Sequence, residues 1–414
     1  MVISEIAVAG PRLSATVTWE DNDRPKQVLW FESAAAPLTP SAEAYLVGCA
    51  MPAMRDREKR VLVEGAVGPE LLESMAEAIA WIMTAFRYDE PPPVLECSRT
   101  NQTPRTAAGR RHAGMLSCGV DSLALIRLNH ARYAETHPHR IGAGIAIGGF
   151  DCVTATQYAQ LLERAHAIGQ SAGIEVLDVA TNLMEVAKWP NPTRPFARFS
   201  ARQYEACILA ACGHALSDRV SGISIGSSGV KPALTLRRVH GTHPLLDPLY
   251  GSASMRVFHE HATTMRFEKF RAIAEWDVAL RNLLVCNQWD RTEVNCGRCG
   301  KCVRAILELM MLGKLEVSPF RGRSVSAGDI LSIRVTQAIA ASAWEDLVPP
   351  MMALGRNDLA LAIQAIVADY HRNRRIEALK ERAKRADARY LGGMAVRANR
   401  LARRILLPAP GAGN

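Results

Sequence analysis

The sequence predicts an α/β protein built around a doubly wound parallel sheet. Strand-like and helix-like stretches alternate between residues 94 and 320, which is typical of parallel strands covered by helices on both faces. Before residue 90, alternating apolar and polar residues indicate strands of a small α+β domain, and the pattern from residue 321 to 414 is helical. We therefore expect three regions, 1–90, 94–320 and 321–414, with the prolines at 91–93 as a linker.

The N-terminal region is predicted to mix strands and helices. Alternating residues at 15–19 and 28–31 predict two strands, and a helix is expected at 41–54. A strand at 60–64 precedes a helix at 68–86, in which Leu71, Met75 and Ile79 share one apolar face. No group of side chains in this region suggests catalysis.

The central region begins with an apolar strand that ends at Leu116. Further strands are predicted at 140–147, 174–179 and 219–225, and helices at 154–172 and 200–216. Glycine or polar residues follow these strands directly. Because a doubly wound sheet binds its ligands at the carboxyl ends of its strands, we expect ligand contacts at these positions.

The turn Ser117–Ser122, with the sequence SCGVDS, is the first motif that suggests chemistry. Backbone N–H groups at the start of a helix are unpaired and the helix dipole is positive there, so the turn favours an anion such as phosphate. The two serines can donate hydrogen bonds, and Asp121 can hold Mg²⁺. The alternative is an ordinary helix capped by serine or aspartate. The chain contains no GxxxxGK[ST] motif, which argues against a Walker-type ATPase.

Four cysteines form a second motif with the spacing C-x9-C-x2-C-x2-C: Cys286, Cys296, Cys299 and Cys302. Two-residue spacers let consecutive thiolates bind one ion, so the motif predicts a closed, structural zinc site. An iron–sulfur cluster and unligated thiols are the alternatives, and disulfides are disfavoured because nothing suggests secretion. The six other cysteines are scattered singly and are expected to pack as small buried side chains.

The turn resembles the PP-loop, SGGxDS, of the N-type ATP pyrophosphatases, except that Cys118 stands where the family has glycine. A side chain there costs energy if the backbone φ is positive. Together with the four cysteines, the turn resembles 7-cyano-7-deazaguanine synthase and a less characterised branch related to it. The resemblance covers about residues 1–320 and includes these stretches: Gly149–Asp151, Thr181–Leu183, Gly241–Leu249 and Arg266–Lys269.

This resemblance implies a HUP-type fold, cleavage of ATP between the α- and β-phosphates, and structural zinc. It implies nucleotide contacts from the turn itself: Ser117, Cys118, Gly119, Val120, Asp121 and Ser122. The ligand positions of a doubly wound sheet add Gly149, Phe150, Asp151, Ser227 and Ser228 as nucleotide contacts, with ordinary turn residues as the alternative. Asp121 and Ser122 are expected to act in catalysis, and so are Lys231 and His243, because released pyrophosphate needs cations. Asp247 is interpreted as a helix cap or a metal ligand. Arg266–Lys269 is interpreted as a surface helix turn, and the alternative is that Arg266 reaches the ligand cleft.

The expected reaction is ATP-dependent adenylation of a carboxylate or amide oxygen on a small molecule, with release of pyrophosphate. A nitrogen or sulfur nucleophile then displaces AMP. One alternative is a sulfur transferase that acts on RNA or a small molecule with the same turn. The other is a non-catalytic scaffold stabilised by zinc, in which Cys118 abolishes ATP binding and Cys118→Gly would restore it.

The charge of the chain is concentrated at its end. Residues 371–414 contain 12 Lys and Arg against 3 Asp and Glu, a net charge of +9 that equals the net charge of the whole chain. This tail is expected to contact RNA, an anionic membrane surface or an acidic partner, or else to form a solvated helix that packs on its own domain. The chain shows no apolar run of transmembrane length and no signal peptide, so we expect a cytoplasmic protein.

Overall fold

The computed structural model describes residues 1–100, 109–150, 154–191, 193–228, 241–286 and 295–390. The strands are β1 (Val2–Ala9), β2 (Arg12–Thr18), β3 (Gln27–Glu32), β4 (Arg60–Val67), β5 (Val94–Thr100), β6 (Arg111–Met115), β7 (Ile141–Gly148), β8 (Glu175–Thr181), β9 (Val220–Gly226) and β10 (Arg256–Glu260). The helices are α1 (Ala42–Arg55), α2 (Pro69–Phe86), α3 (Val120–Arg132), α4 (Ala155–Ala172), α5 (Met184–Ala187), α6 (Phe196–Phe199), α7 (Glu205–Ala215), α8 (Arg266–Ile273), α9 (Asp277–Arg281), α10 (Gly300–Met311), α11 (Ala327–Leu331), α12 (Ala338–Glu345), α13 (Val348–Ala353) and α14 (Asn357–Tyr390).

The strands form one mostly parallel sheet in the order β10-β9-β6-β7-β8-β3-β2-β1-β4-β5. Strands β10, β9, β6, β7 and β8 are parallel to one another. From β6 the chain adds β7 and β8 on one side, then returns to add β9 and β10 on the other. Connections between parallel strands are right-handed. The helices that connect strands toward β8 and the helices that connect strands toward β10 therefore cover opposite faces of the sheet. This is the doubly wound arrangement that the sequence predicts, and it is consistent with a Rossmann-like fold.

The N-terminal strands continue this sheet. Strand β3 pairs antiparallel with β8, where Phe31 lies opposite Thr181. Asp178 on β8 strengthens the junction by accepting hydrogen bonds from the N–H groups of Ala34 and Ala35, at 2.9 Å each. Residues 1–325 form one compact unit and residues 326–414 a second. The boundary that the sequence suggested at residues 91–93 therefore does not separate two compact units, because the sheet runs through it.

Several helices match the sequence pattern closely. Helix α2 buries Leu71, Met75 and Ile79 on one face, as its periodicity predicts. Helix α4 begins with a capping box in which Thr154 and Gln157 exchange side-chain and backbone hydrogen bonds. The single helix predicted at 200–216 is instead a π-helical turn over residues 200–204 followed by α7. A π turn widens the helix locally and often occurs beside functional sites.

The second unit is helical over the part that the structure describes. Helices α11, α12 and α13 are short, and α14 spans 34 residues. The first part of α14 buries Leu359 and Ile363, whereas the side chains described from 371 to 383 are exposed. Among the described helices, none combines the length and the apolar character that crossing a membrane requires.

Candidate functional site

The turn after β6 leads directly into α3. The cap residue of α3 is Gly119, which has no side chain to satisfy the first N–H groups of the helix. Ser122 donates its hydroxyl hydrogen to the carbonyl of Gly119 at 2.9 Å, and Ser117 remains exposed. The serine or aspartate cap that was the alternative interpretation of this motif is therefore not formed. The N-terminus of α3 is left available to a ligand.

Cys118 occupies the left-handed region of backbone conformation, with a φ of 57°. A residue with a Cβ pays about 1–2 kcal/mol for this conformation, which glycine adopts without penalty. The side chain of Cys118 is fully buried. Its carbonyl accepts a hydrogen bond from the N–H of Leu284 at 2.9 Å. The turn is thus held in a conformation that glycine adopts freely, and the hydrogen bond from Leu284 connects it to a segment distant in the sequence.

A cavity of about 250 Å³ opens at the carboxyl ends of β6, β7 and β9. This is where the strand order reverses, between β6 and β9, and sheets of this kind bind ligands at the reversal point. On the β7 side the lining is apolar, with Ile145, Ile147 and Phe150. The turn forms its floor, and Glu205 and Thr242 also border it. The cavity therefore has one apolar side and one polar side.

The polar side carries cationic groups from α8. Lys269 is almost fully buried, and its Nζ donates to Asp121 Oδ1 at 2.8 Å and to the carbonyl of Ser227. Arg266, one helical turn earlier, lines the cavity and pairs with Glu308 of α10 at 3.3 Å. The expectation of a surface position is therefore wrong for Lys269, whereas Arg266 reaches the cavity, as the alternative interpretation expected. The sequence does contain a signal for the burial of Lys269. Lys269 lies four residues before the apolar Ile273, so the two residues share one face of α8, and Ile273 is buried.

Helix α10 adds a buried guanidinium and a buried carboxyl to this region. Burial lowers the pKa of Arg304 to about 10, which still leaves it a cation at neutral pH. Burial raises the pKa of Glu308, although the neighbouring Arg266 and Arg304 oppose that rise. Sequence reasoning missed both residues because neither belongs to a motif. Their importance comes from the packing of α10 beside α8.

Some of the other residues that were predicted to contact the nucleotide line the same cavity. Gly149 has a φ of 82°, and a Cβ there would come within 1.9 Å of the Thr181 carbonyl oxygen, so only glycine fits. Phe150 and Ser228 line the cavity, whereas Ser227 is buried and contributes its carbonyl to Lys269. Asp151 and Lys231 lie outside the described residues.

The structure does not bring His243 to the cavity. Its neighbour Thr242 lines the cavity, but His243 is fully buried and its Nδ1 accepts the N–H of Leu245 at 3.1 Å. Asp247 accepts the N–H of His243 at 2.7 Å and pairs with His259 Nδ1 at 2.7 Å. Asp247 begins a short 3-10 turn rather than capping it, so the cap interpretation is wrong. These groups hold the segment together internally.

The four cysteines of the second motif converge on one point. Their sulfur atoms all lie within 4.8 Å of one another. The Sγ atoms of Cys286 and Cys299 are 3.8 Å apart, and those of Cys296 and Cys302 are 3.9 Å apart. A tetrahedron with zinc–sulfur bonds of about 2.3 Å has edges of about 3.8 Å, so the donor set fits a single ion. An iron–sulfur cluster would need room for several atoms between the thiolates. The group can hold a metal such as zinc.

Local backbone features build this cysteine cluster. Gly297 supplies a left-handed turn with a φ of 70°, and the N–H of Cys299 donates to the Cys296 sulfur at 3.3 Å. A hydrogen bond with Cys302 and further N–H groups lower the pKa of Cys299, which favours the thiolate that metals bind. Asn295, next to Cys296, connects this part of the cluster to the segment before Cys286. Its side chain donates a hydrogen bond to the Leu283 carbonyl and accepts one from the N–H of Val285.

The cysteine cluster adjoins the cavity. Cys286 and Lys301 both line it, and α10 begins at Gly300, directly after the third cysteine. The segment before Cys286 also supplies the N–H of Leu284 that holds the Cys118 carbonyl. Metal binding would therefore fix the segment that supports the turn. The two sequence motifs, 164 residues apart from Ser122 to Cys286, form one site.

Comparison of the chain with protein-family models and with curated proteins finds no match in either case. The fold and the site define a class of protein: an α/β protein with a Rossmann-like sheet, a ligand-sized cavity at its reversal point and a four-cysteine group beside it. Any narrower assignment has to be argued from the chemistry of the cavity.

Proposed function

We propose that the chain is an ATP-dependent adenylating enzyme that releases pyrophosphate. The observation that carries the proposal is the turn Ser117–Ser122, which opens α3 without a side-chain cap and forms the floor of the cavity. Uncapped N–H groups at a helix start bind phosphate oxygens. The apolar β7 side of the cavity suits a purine base, and the cationic α8 side suits the phosphates.

In the proposed reaction an oxygen of a substrate carboxylate or amide attacks the α-phosphorus of ATP. The bond from that phosphorus to the oxygen bridging to the β-phosphorus breaks, and its electron pair leaves with pyrophosphate. The product is an acyl or imidoyl adenylate, from which a nitrogen or sulfur nucleophile displaces AMP. Positioning and charge stabilisation supply most of the catalysis in such a step. We assign positioning of the phosphates to Ser117 and Ser122, and charge stabilisation to Arg266.

Mg²⁺ and zinc have separate places in this proposal. Lys269 engages Asp121 Oδ1, so we assign Oδ2 of the same carboxylate to Mg²⁺ on the phosphates. The four cysteines would bind zinc as a structural ion, since four thiolates leave no position for water. The charges of Arg298 and Lys301 would offset the negative charge of a zinc tetrathiolate.

The proposal is tested by calorimetric titration of the full chain, loaded with zinc, with an ATP analogue that resists cleavage between the α- and β-phosphates. We expect the wild type to bind it with Mg²⁺, and Ser117→Ala to bind about fivefold more weakly because one hydrogen bond is lost. Ser221→Ala is the matched control, since Ser221 lies at the opposite end of β9. Failure of the folded, zinc-loaded wild type to bind the analogue would refute the proposal and favour a non-catalytic scaffold.

A second candidate, sulfur transfer to RNA, is supported by the basic end of α14. Arg372, Arg374, Arg375, Lys380 and Arg382 are exposed there. Phosphate contacts by such side chains would make RNA binding fall steeply with salt. Replacing these five residues by glutamine should weaken binding of a transfer RNA and reduce the dependence of that binding on salt. Unchanged binding by that variant would remove the support that α14 lends to this candidate.

A further inference from the structure

We infer that the exposed stretch of α14, residues 371–383, docks on a membrane surface that carries anionic lipids. The helix would lie in the plane of that surface, with an apolar stripe toward the acyl chains and arginines toward the headgroups. The second compact unit holds this stretch, so the inference is independent of the cavity and of the proposed function.

The exposed stretch continues α14 beyond the part of the helix that packs against its unit. Leu359, Ile363 and Tyr370, on the earlier turns of the helix, are buried. From His371 to Ala383, every side chain that the structure describes is exposed. The described part of the unit therefore leaves this stretch uncovered over about 20 Å of helix, at a rise of about 1.5 Å per residue.

An apolar stripe runs along the exposed stretch. Ile376 is 42% exposed and Leu379 is 62% exposed, and Ala383 is exposed as well. Spacings of three and four residues place these three on one face of the helix. Glu377 and Glu381 stand one or two residues from members of the stripe in the sequence, and residues at those spacings do not share a face. The spacing therefore puts neither glutamate on the apolar face.

Two arginines border the apolar stripe. Arg375 lies four residues before Leu379 and Arg382 lies three residues after it, so both flank the most exposed side chain of the stripe. Both arginines are exposed, and within the part of the chain that the structure describes no ion pair or hydrogen bond engages either side chain. Arg372, by contrast, pairs with Asp369. The charges of Arg375 and Arg382 are therefore available to an anionic ligand.

A second copy of the helix is a poor occupant for this face. If Ile376 and Leu379 formed the seam of a two-stranded coiled coil, the positions that flank the seam would be Arg375, Lys380 and Arg382. A parallel pair of helices would then place Arg375 of one copy beside Lys380 of the other. Like charges across such a seam oppose association.

An anionic membrane satisfies both parts of the face. Negatively charged headgroups attract the two arginines, while the boundary of the acyl chains takes up the apolar stripe. The phosphates of RNA would engage the arginines but leave Ile376 and Leu379 in water. The exposed apolar pair therefore favours lipid over RNA for this stretch. Because the stripe is short and the cations are few, binding should be reversible and should weaken with salt.

The test is flotation of the full chain with vesicles of phosphatidylcholine and phosphatidylglycerol in equal amounts, and with vesicles of phosphatidylcholine alone. We expect the wild type to bind the mixed vesicles and to bind the neutral vesicles much more weakly. The double substitution Ile376→Gln and Leu379→Gln should weaken binding to the mixed vesicles about tenfold, because less apolar surface leaves water. The double substitution Arg375→Gln and Arg382→Gln should weaken it about thirtyfold at physiological salt.

Leu354→Gln is the matched control. Leu354 is 51% exposed in the same unit, but it lies three residues before α14 begins, so about 30 Å of helix separates it from Leu379. This variant should bind the mixed vesicles like the wild type. Because all the substituted side chains are exposed, every variant should keep the circular dichroism of the wild type.

The inference is overturned if the wild type does not bind the mixed vesicles or binds the neutral vesicles equally well. It is also overturned if the apolar double variant binds the mixed vesicles like the wild type, since the cations alone would then act, or if Leu354→Gln weakens binding equally. A transfer RNA that binds the wild type when vesicles do not would assign the stretch to RNA instead. A wild-type dimer that the apolar double variant dissociates, measured by analytical ultracentrifugation, would assign the stripe to a second copy and overturn the inference as well.

Discussion

The ion pair between Lys269 and Asp121 predicts that substituting its two members has unequal effects on stability. The Lys269 side chain is 1% exposed and the Asp121 side chain is 29% exposed, with 2.8 Å between the charged atoms. Asp121→Ala leaves a buried ammonium whose charge has lost its counter-ion. Lys269→Met leaves a carboxylate that still reaches water, and it fills the buried space with an apolar chain of similar length.

The size of the difference follows from the burial of each partner. Removing one member of a buried pair costs about 3–5 kcal/mol, and we expect about 3 kcal/mol for Asp121→Ala because Asp121 is partly exposed. Lys269→Met loses mainly its hydrogen bond to the Ser227 carbonyl, about 1 kcal/mol. An unfolding entropy of about 2.1 cal/mol/K per residue over the 325 residues of the unit converts these values to decreases of about 4 °C and about 1.5 °C in Tm.

The assay is thermal unfolding of the wild type, both single variants and the double variant, followed by circular dichroism. We expect the double variant to melt close to Lys269→Met, because removing the lysine relieves the cost of removing Asp121. The difference should persist at high salt, since buried pairs are poorly screened. A double variant whose decrease in Tm equals the sum of the two single decreases would refute the reasoning, and so would equal effects of the two single substitutions.

Three further predictions concern the metal, pH and the turn. Cys299→Ser should reduce bound zinc, measured by atomic absorption, from about one ion per chain, and should weaken binding of the ATP analogue at the same time. Burial alone would raise the pKa of Glu43, but hydrogen bonds from His214, Gly68 and Ser252 outweigh it and lower the pKa from 4.5 to about 2. Because the pKa of Glu43 is lower in the folded than in the unfolded protein, the ionised carboxylate stabilises the fold above pH 4.5, and this stabilisation is lost as the pH falls to 2. We expect about 3 kcal/mol of the free energy of unfolding to disappear over this range. The measurement is the decrease in Tm with falling pH, and Glu43→Gln should lack this decrease. Cys118→Gly should leave the affinity for the ATP analogue, measured by calorimetry, within about threefold, because the backbone already has the glycine conformation.

Each of these predictions has a control or an opposing outcome. Cys97 lies outside the cysteine cluster, so the Cys97→Ser variant should bind as much zinc as the wild type. Loss of zinc from the Cys97→Ser variant would indicate that zinc binds non-specifically. Glu73→Gln, at an exposed position of α2, should unfold in acid like the wild type. A wild type that fails to bind the analogue, together with a Cys118→Gly variant that binds it, would contradict the proposed function and favour the scaffold.

Local patterns in the sequence predicted much of the architecture. The periodicity of residues 68–86 predicted α2, and the apolar run before Ser117 with the helical pattern after it predicted the strand, turn and helix of the candidate site. The cysteine spacing predicted a convergent group, and the four sulfurs do converge. These features depend on residues within a few positions of one another, so their physical causes are visible along the chain.

The domain boundary could not be predicted in the same way. Strands β1 to β4 lie in the region whose alternation suggested a small separate domain, but β3 pairs with β8, about 150 residues later in the chain. Hydrogen bonds between strands carry no signature in the sequence beyond the tendency to be a strand. The pairing of the N-terminal strands with the central strands in one sheet is therefore decided by the tertiary structure.

The sequence by itself determined the turn that opens α3, the convergence of the four cysteines and the order of the strands and main helices from β6 to β9, whereas it did not reveal β1, β5 or β10. Only the tertiary structure decided which charges serve the cavity. Lys269 was expected at the surface and is buried against Asp121, while His243 was expected to act on substrate and is buried away from the cavity. The physical reason is that a charged side chain takes its environment from the elements packed against it, and here those elements are α3, β9 and α10, distant in the chain and adjacent in space.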